Sequence, residues 1–188
     1  YFFSSLLSFK TRILNLKNMI IWITGLSGVG KTTLAKALYN KVKKKFSNTI
    51  WIDGDILRKH FQNTKKYDQK SRVEQYKKMV GLAKFCYDQK INVIVSVLYF
   101  NNFILNNNKK IFKNYFQIYL KSNIKDLIQR DSKKVYSKNL KKRKPFLVGV
   151  DIKWNKPRKS NLIIKDFFNK KINSTSNSIF NKIRKKLI

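Results

Sequence analysis

The stretch ITGLSGVGKTTLAK, residues 23–36, decides the fold. Gly25-Leu26-Ser27-Gly28-Val29-Gly30-Lys31-Thr32 satisfies G-x-x-x-x-G-K-[ST] in full and holds three of the chain's six glycines. Before it, MIIWIT (19–24) is apolar on both faces, as a central parallel strand should be. After it, KTTLAKALYNKVKKKF (31–46) spaces Leu34, Leu38 and Val42 four apart with lysines opposite, the pattern of an amphipathic helix. A glycine-rich turn between a buried strand and a helix brings backbone N–H groups up to phosphate oxygens. The helix N-terminus adds its partial positive charge. Residues Gly25, Leu26, Ser27, Gly28, Val29, Gly30, Lys31, Thr32 and Thr33 are therefore the candidate ATP cradle. Lys31 is placed to bridge the β- and γ-phosphates, and the Thr32 hydroxyl to hold Mg²⁺.

Outward from this loop, short apolar runs alternate with longer amphipathic ones, which predicts βαβ units and a parallel sheet. Strands are expected at 49–53, 91–100, 115–120 and 161–165. A helix is expected over 71–90 with Val73, Tyr76, Val80 and Ala83 on its inner side, and a short one over 123–131 capped by Asn123. Residues 132–159 are rich in lysine with little periodicity, and are too long for a passive connector, so they read as a mobile basic lid. A basic amphipathic helix over 176–188 closes the chain. The expected class is α/β: a three-layer sandwich of the P-loop NTPase type around a mostly parallel sheet of about five strands.

The 188 residues fit one domain, with 43% hydrophobic residues. Its charge is extreme: 43 Lys and Arg against nine Asp and Glu give a formal +34. A nucleic-acid partner would explain that, but the lysines are spread along the whole chain and accompany many Asn, Ile, Phe and Tyr. Drift toward the residues of an AT-rich coding sequence explains both, leaving only non-specific nucleic-acid binding in low salt. Cys86 is the single cysteine and His60 the single histidine. The single cysteine rules out an internal disulfide and fits a reducing cytoplasm, and the single histidine argues against a His-based metal site or a Ser-His-Asp triad. No apolar run reaches the roughly 18 residues a membrane span needs. Residues 1–18 start on Tyr and precede Met19; a targeting peptide or a mis-called extension ahead of a 19–188 domain would each account for them, and the second is favoured.

Downstream, WIDGD places Asp53 and Asp55 directly after the second strand. Ligands of parallel α/β sheets bind at that carboxyl edge. A carboxylate there can accept the proton of a substrate hydroxyl. In order and at compatible spacing, WITGLSGVGKTT, IDGDILR, RVEQYKKMVGLAKF, QRDSKKVYSKN and VGVDIKWNKP resemble the adenylylsulfate kinase family over roughly residues 19–166.

The resemblance implies transfer of the ATP γ-phosphate, with Mg²⁺, to the ribose 3′-hydroxyl of adenosine 5′-phosphosulfate, and a commonly dimeric enzyme. It implies Asp55 as the carboxylate meeting that hydroxyl, Asp53 supporting it, and Arg58 and Arg72 gripping the acceptor's phosphosulfate. Arg130, Asp131 and Lys133 match the lid hinge near ATP, and Gly149 and Asp151 the second lid arm. Departures fall on the acceptor side. Gln75 replaces an acceptor-contacting Asn, Lys77-Lys78 replace two Arg, Tyr99-Phe100 replace Ser-Pro, and Leu147 stands where the family has a Phe against the acceptor's base. The primary expectation is adenosine phosphosulfate as acceptor. The alternative is a family member acting on another nucleotide-linked acceptor, such as cytidine diphosphoramidate in surface-polysaccharide decoration. A basic nucleic-acid-binding protein with a relic P-loop is the rival from another class.

Overall fold

The computed structural model describes residues 18–61, 68–98, 102–132, 134–137 and 147–186. Strand β1 (Ile20–Thr24) leads through the glycine loop into α1 (Lys31–Lys45), followed by β2 (Thr49–Asp53), α2 (Gly54–His60), α3 (Gln69–Asp88) and β3 (Asn92–Val97). Then come α4 (Asn102–Ile111), β4 (Tyr115–Lys121), α5 (Ile124–Arg130), β5 (Leu162–Lys165), a 3-10 turn at Phe167–Asn169 and α6 (Ile172–Arg184). The sheet order is β2-β3-β1-β4-β5 and every pairing is parallel. The chain thus has the α/β architecture of P-loop kinases, with β1 in the middle and its loop at the carboxyl edge of the sheet.

The central strand sorts its side chains by pleat. Ile21 and Ile23 point into the layer containing Leu34, Leu38 and Val42 of α1 and Ile179 and Ile183 of α6. Ile20 and Trp22 point the other way, into the layer with Met79, Ala83 and Cys86 of α3. Burial on both faces is why β1 reads as an unbroken apolar run. Trp22 is fully buried and meets Tyr76 edge-on, ring centroids 5.8 Å apart.

Two expectations shift. The buried stripe of α3 is Gln75, Met79, Ala83 and Cys86, with Val73, Tyr76 and Val80 only partly covered. The rotation follows from Met79, whose Cε lies 3.1 Å from where a Cβ on Gly54 would sit, so helix and loop meet closely there. Asp53 caps helix α2, which opens at Gly54 directly after β2. The closing helix begins four residues early, at Ile172. Residues 1–17 and the Tyr99-Phe100 pair lie outside the described residues, as do Lys133 and 138–146 of the expected lid.

Cys86 is a buried free thiol, and burial raises its pKa, which suits packing rather than nucleophilic attack. Among the described residues no helix is long and apolar enough to cross a membrane. Leu38 is completely buried between α1 and the sheet. Leu38→Ala should lower the unfolding free energy by about 2–5 kcal/mol, read as a shifted urea midpoint at unchanged m-value.

Candidate active site

The site is assembled at the carboxyl ends of β1, β2 and β3. Asp53 ends β2 and is 6% exposed. Its Oδ1 accepts the backbone N–H of Asp55 at 2.9 Å and of Ile56 at 3.2 Å, capping α2. Its Oδ2 accepts the hydroxyls of Thr32 at 2.9 Å and Ser96 at 2.7 Å. Ser96 in turn accepts the Trp51 indole N–H at 2.9 Å. Four donors thus converge on one buried carboxylate. They also tie the phosphate-loop helix, β3 and α2 together. Asp55, one residue into α2, is exposed at the mouth of the site, and Arg58 is half-buried on the same helix.

The two aspartates therefore differ in what they can do. Asp53 is committed to structure and stands beside Thr32. Asp55 faces solvent, where a substrate hydroxyl can reach it. The hard oxygens of Thr32 and Asp53 suit Mg²⁺, which keeps several waters and is held by one or two protein oxygens plus substrate phosphates. Among the described residues there is no group of three or more His, Cys, Asp or Glu placed to hold a metal ion.

The loop itself is shaped by its neighbours. Gly30 sits at φ 98° before α1, and a Cβ there would lie 2.7 Å from the Phe167 ring. The close approach, as much as the backbone angle, demands glycine. Lys31 extends its ammonium to the Leu26 carbonyl, 2.8 Å away. Thr33 is exposed beside it. Arg130 ends α5 with its guanidinium 4.9 Å from the Phe168 ring centroid, so the lid hinge and the turn after β5 meet on this side of the loop.

Acceptor-side candidates are less uniform. Arg72 is half-buried near the start of α3. Gln75, one turn before Met79, is 4% exposed, and neither its amide oxygen nor its nitrogen has a partner. Leu147 is 7% exposed and packs in the core cluster with Leu26 and Tyr136. In this conformation it contributes to the core instead of presenting an open face. Gly149, at φ 93°, turns the chain so closely that a Cβ would lie 3.0 Å from Ile124 and 3.2 Å from Leu26. Asp151 closes the same turn by accepting the Leu147 N–H at 2.8 Å.

One residue that the motif reading passed over is Tyr136. Its hydroxyl donates to the Ser27 carbonyl of the phosphate loop at 3.0 Å, across 109 residues of sequence. Asp131, left-handed at φ 31°, accepts the N–H groups of Tyr136 at 3.0 Å and Ser137 at 2.8 Å, so it turns the chain from α5 toward that contact. Despite some desolvation, these bonds hold its carboxyl below the usual carboxylate range. The spacing of the aromatic in RDSKKVY was visible, but its target lies in a distant loop. Burial, with the Asp131 charge nearby, pushes the Tyr136 phenol up from 10.0 to about 12. A raised folded-state pKa leaves its stabilisation whole below the unfolded value and removes it as pH rises through the folded one. Stability should therefore decline between pH 10 and about 12, and Tyr136→Phe should flatten that decline in urea melts.

Comparison with known proteins places this geometry. The adenylylsulphate kinase family profile matches residues 17–165. The cytidine diphosphoramidate kinase of Campylobacter jejuni is 45% identical over 141 residues, covering 73% of this chain and 81% of that protein. The adenylyl-sulfate kinase of Clostridium acetobutylicum is 29% identical over 161 residues, covering 84% and 80%. In structure, the Mycobacterium tuberculosis APS kinase in complex with AMPPNP and APS superposes with a TM-score of 0.81 at 20% identity, covering 90% of this chain and 99% of that one. The fold is common to all of them, and identity is higher to the diphosphoramidate kinase than to the adenylyl-sulfate kinase. With its phosphate loop, its capped Asp53 and a profile match across most of its length, the chain belongs to the adenylylsulphate kinase family and is a kinase.

Proposed function

We propose that this kinase moves the γ-phosphate of ATP to the ribose 3′-hydroxyl of a cytidine-based, nucleotide-linked acceptor of the cytidine diphosphoramidate type. The observation that carries the acceptor is the 45% identity to the Campylobacter jejuni diphosphoramidate kinase, against 29% to the adenylyl-sulfate kinase of Clostridium acetobutylicum. The departures at Gln75, Tyr99 and Leu147 agree with it, since all fall on the acceptor side while Gly25–Thr32 and Asp53–Asp55 keep the family pattern. Adenosine 5′-phosphosulfate, the acceptor the motifs alone favoured, is the second reading and rests on the family profile.

The donor half needs little covalent chemistry from the protein; it needs positioning and charge stabilisation. The loop amides and Lys31 hold the phosphates, Arg130 meets ATP from the end of α5, and the family resemblance gives Lys133 the same task. Thr32, with Asp53 beside it, would hold Mg²⁺, which would supply charge neutralisation at the nucleotide's phosphates. Asp55 orients the acceptor hydroxyl and takes its proton as the oxygen–phosphorus bond forms and ADP leaves. Arg58 and Arg72 grip the acceptor's anionic groups, because a guanidinium fork matches paired oxyanion oxygens. Gln75 faces the acceptor from α3, and Gly149 shapes the lid arm that closes over it, with Leu147 beside it.

Two measurements test this. Purified protein with ATP and Mg²⁺ should phosphorylate cytidine diphosphoramidate with a higher kcat/KM than adenosine phosphosulfate; the reverse order would overturn the proposed acceptor. Asp55→Asn should reduce kcat about 10²- to 10⁴-fold while ATP binding by calorimetry stays intact, since it removes the proton acceptor and leaves the cradle untouched.

A further inference from the structure

The sheet face under α3 and α4 holds a chain of polar groups in an otherwise apolar layer. Tyr76 of α3 donates its hydroxyl to the Asn108 side-chain oxygen of α4. The Asn108 amide donates to the Tyr115 hydroxyl at 3.3 Å, and Tyr115 donates to the Gln117 oxygen at 3.2 Å. The Gln117 amide then donates to the Ser160 hydroxyl at 2.8 Å. Every link runs in one direction, donor to acceptor, from α3 across α4 and β4 to the segment returning from the lid. The Gln117 backbone N–H also donates to that segment, to the Asn161 side-chain oxygen at 2.8 Å. Asn108 is fully buried and Gln117 1% exposed. Burial raises the phenol pKa values of both Tyr76 and Tyr115, so both remain hydroxyl donors.

Apolar side chains would fill this layer without the cost of desolvating amides and hydroxyls. What a fully satisfied polar chain adds is direction, because it accepts one arrangement of the helices and not its neighbours. Tyr76 follows Gln75 directly, about 100° further round α3. Arg72 lies one turn before both, on the neighbouring surface of the helix. Together with the close approach of Met79 to Gly54, holding the Tyr76 hydroxyl therefore fixes the rotation of α3, and with it where Arg72 and the Gln75 amide stand.

We propose that Tyr76, Asn108, Tyr115, Gln117 and Ser160 form a positioning relay for the acceptor half of the site, locking the rotation of α3 to the segment that returns from the lid. The proposal rests on the reading that α3 faces the acceptor. Tyr76→Phe and Tyr115→Phe each delete one hydroxyl and keep the ring. Each should raise the KM for whichever acceptor the wild type uses by about three- to tenfold, with the ATP KM within about twofold. The double variant should be no worse than the poorer single one, because both break one chain. Unchanged acceptor KM, or acceptor and ATP KM rising together, overturns the relay.

Ser160→Ala, at the outer end, serves as the mild variant if the tyrosine variants do not fold. It should speed amide exchange in residues 69–76 while leaving 31–45 as in the wild type. A wild type that turns over neither acceptor would sink the proposed function alone. The relay would then be judged on exchange, upheld by faster exchange in 69–76 and overturned by none.

Discussion

The structure depends on the Asp53 carboxylate more than on any other single group. Its four hydrogen bonds join the first turn of the phosphate-loop helix at Thr32, the end of β3 at Ser96 and the start of α2 at Asp55 and Ile56. Three segments that carry donor and acceptor chemistry thus share one anchor. A buried carboxylate is costly unless saturated with donors, and here it is saturated. That saturation also separates the roles of two aspartates only two residues apart. Asp53 spends its lone pairs on architecture, which leaves the exposed Asp55 at a defined place on the first turn of a capped helix.

The phosphate loop is braced from three directions beyond that carboxylate. Phe167 fills the space a side chain at Gly30 would need. Tyr136 holds the Ser27 carbonyl. The turn at Gly149 packs against Leu26. Each brace comes from a segment that follows β4, on the lid side of the molecule. Tyr136, Leu147, Val148 and Ile152, from the described residues between α5 and β5, all pack into the same core cluster as Leu26 and Val29 of the loop. A cradle shaped in advance presents its N–H groups to phosphate without reorganising, which is where electrostatic stabilisation gains most.

On the acceptor side the determinants are fewer and more polar. Gln75 keeps an unpaired amide in a buried position, while a continuous hydrogen-bonded chain runs from its neighbour Tyr76. The two relatives compared above are both kinases, and they differ in the acceptor that their names state.

Local pattern made much of this legible. The strand, glycine loop and helix at 19–46 could be read because each is specified by residues adjacent in sequence: apolar run, glycines, four-residue stripe. The remaining strands and the Asn123 cap were readable for the same reason. Helix α2 was not, because it is short and its capping carboxylate is held in place by Thr32 and Ser96, which are distant in sequence. The inner face of α3 was misread because rotation follows the close contact of Met79 with Gly54, and hydrophobicity alone rated Val73 above Gln75. The sequence by itself determined the donor, the order of the elements and the candidate carboxylates, since those depend on near neighbours. Only the tertiary structure decided which aspartate is buried and which is presented, what Tyr136 holds and which way α3 faces. Those outcomes depend on partners 21 to 109 residues away that burial brings within hydrogen-bonding distance.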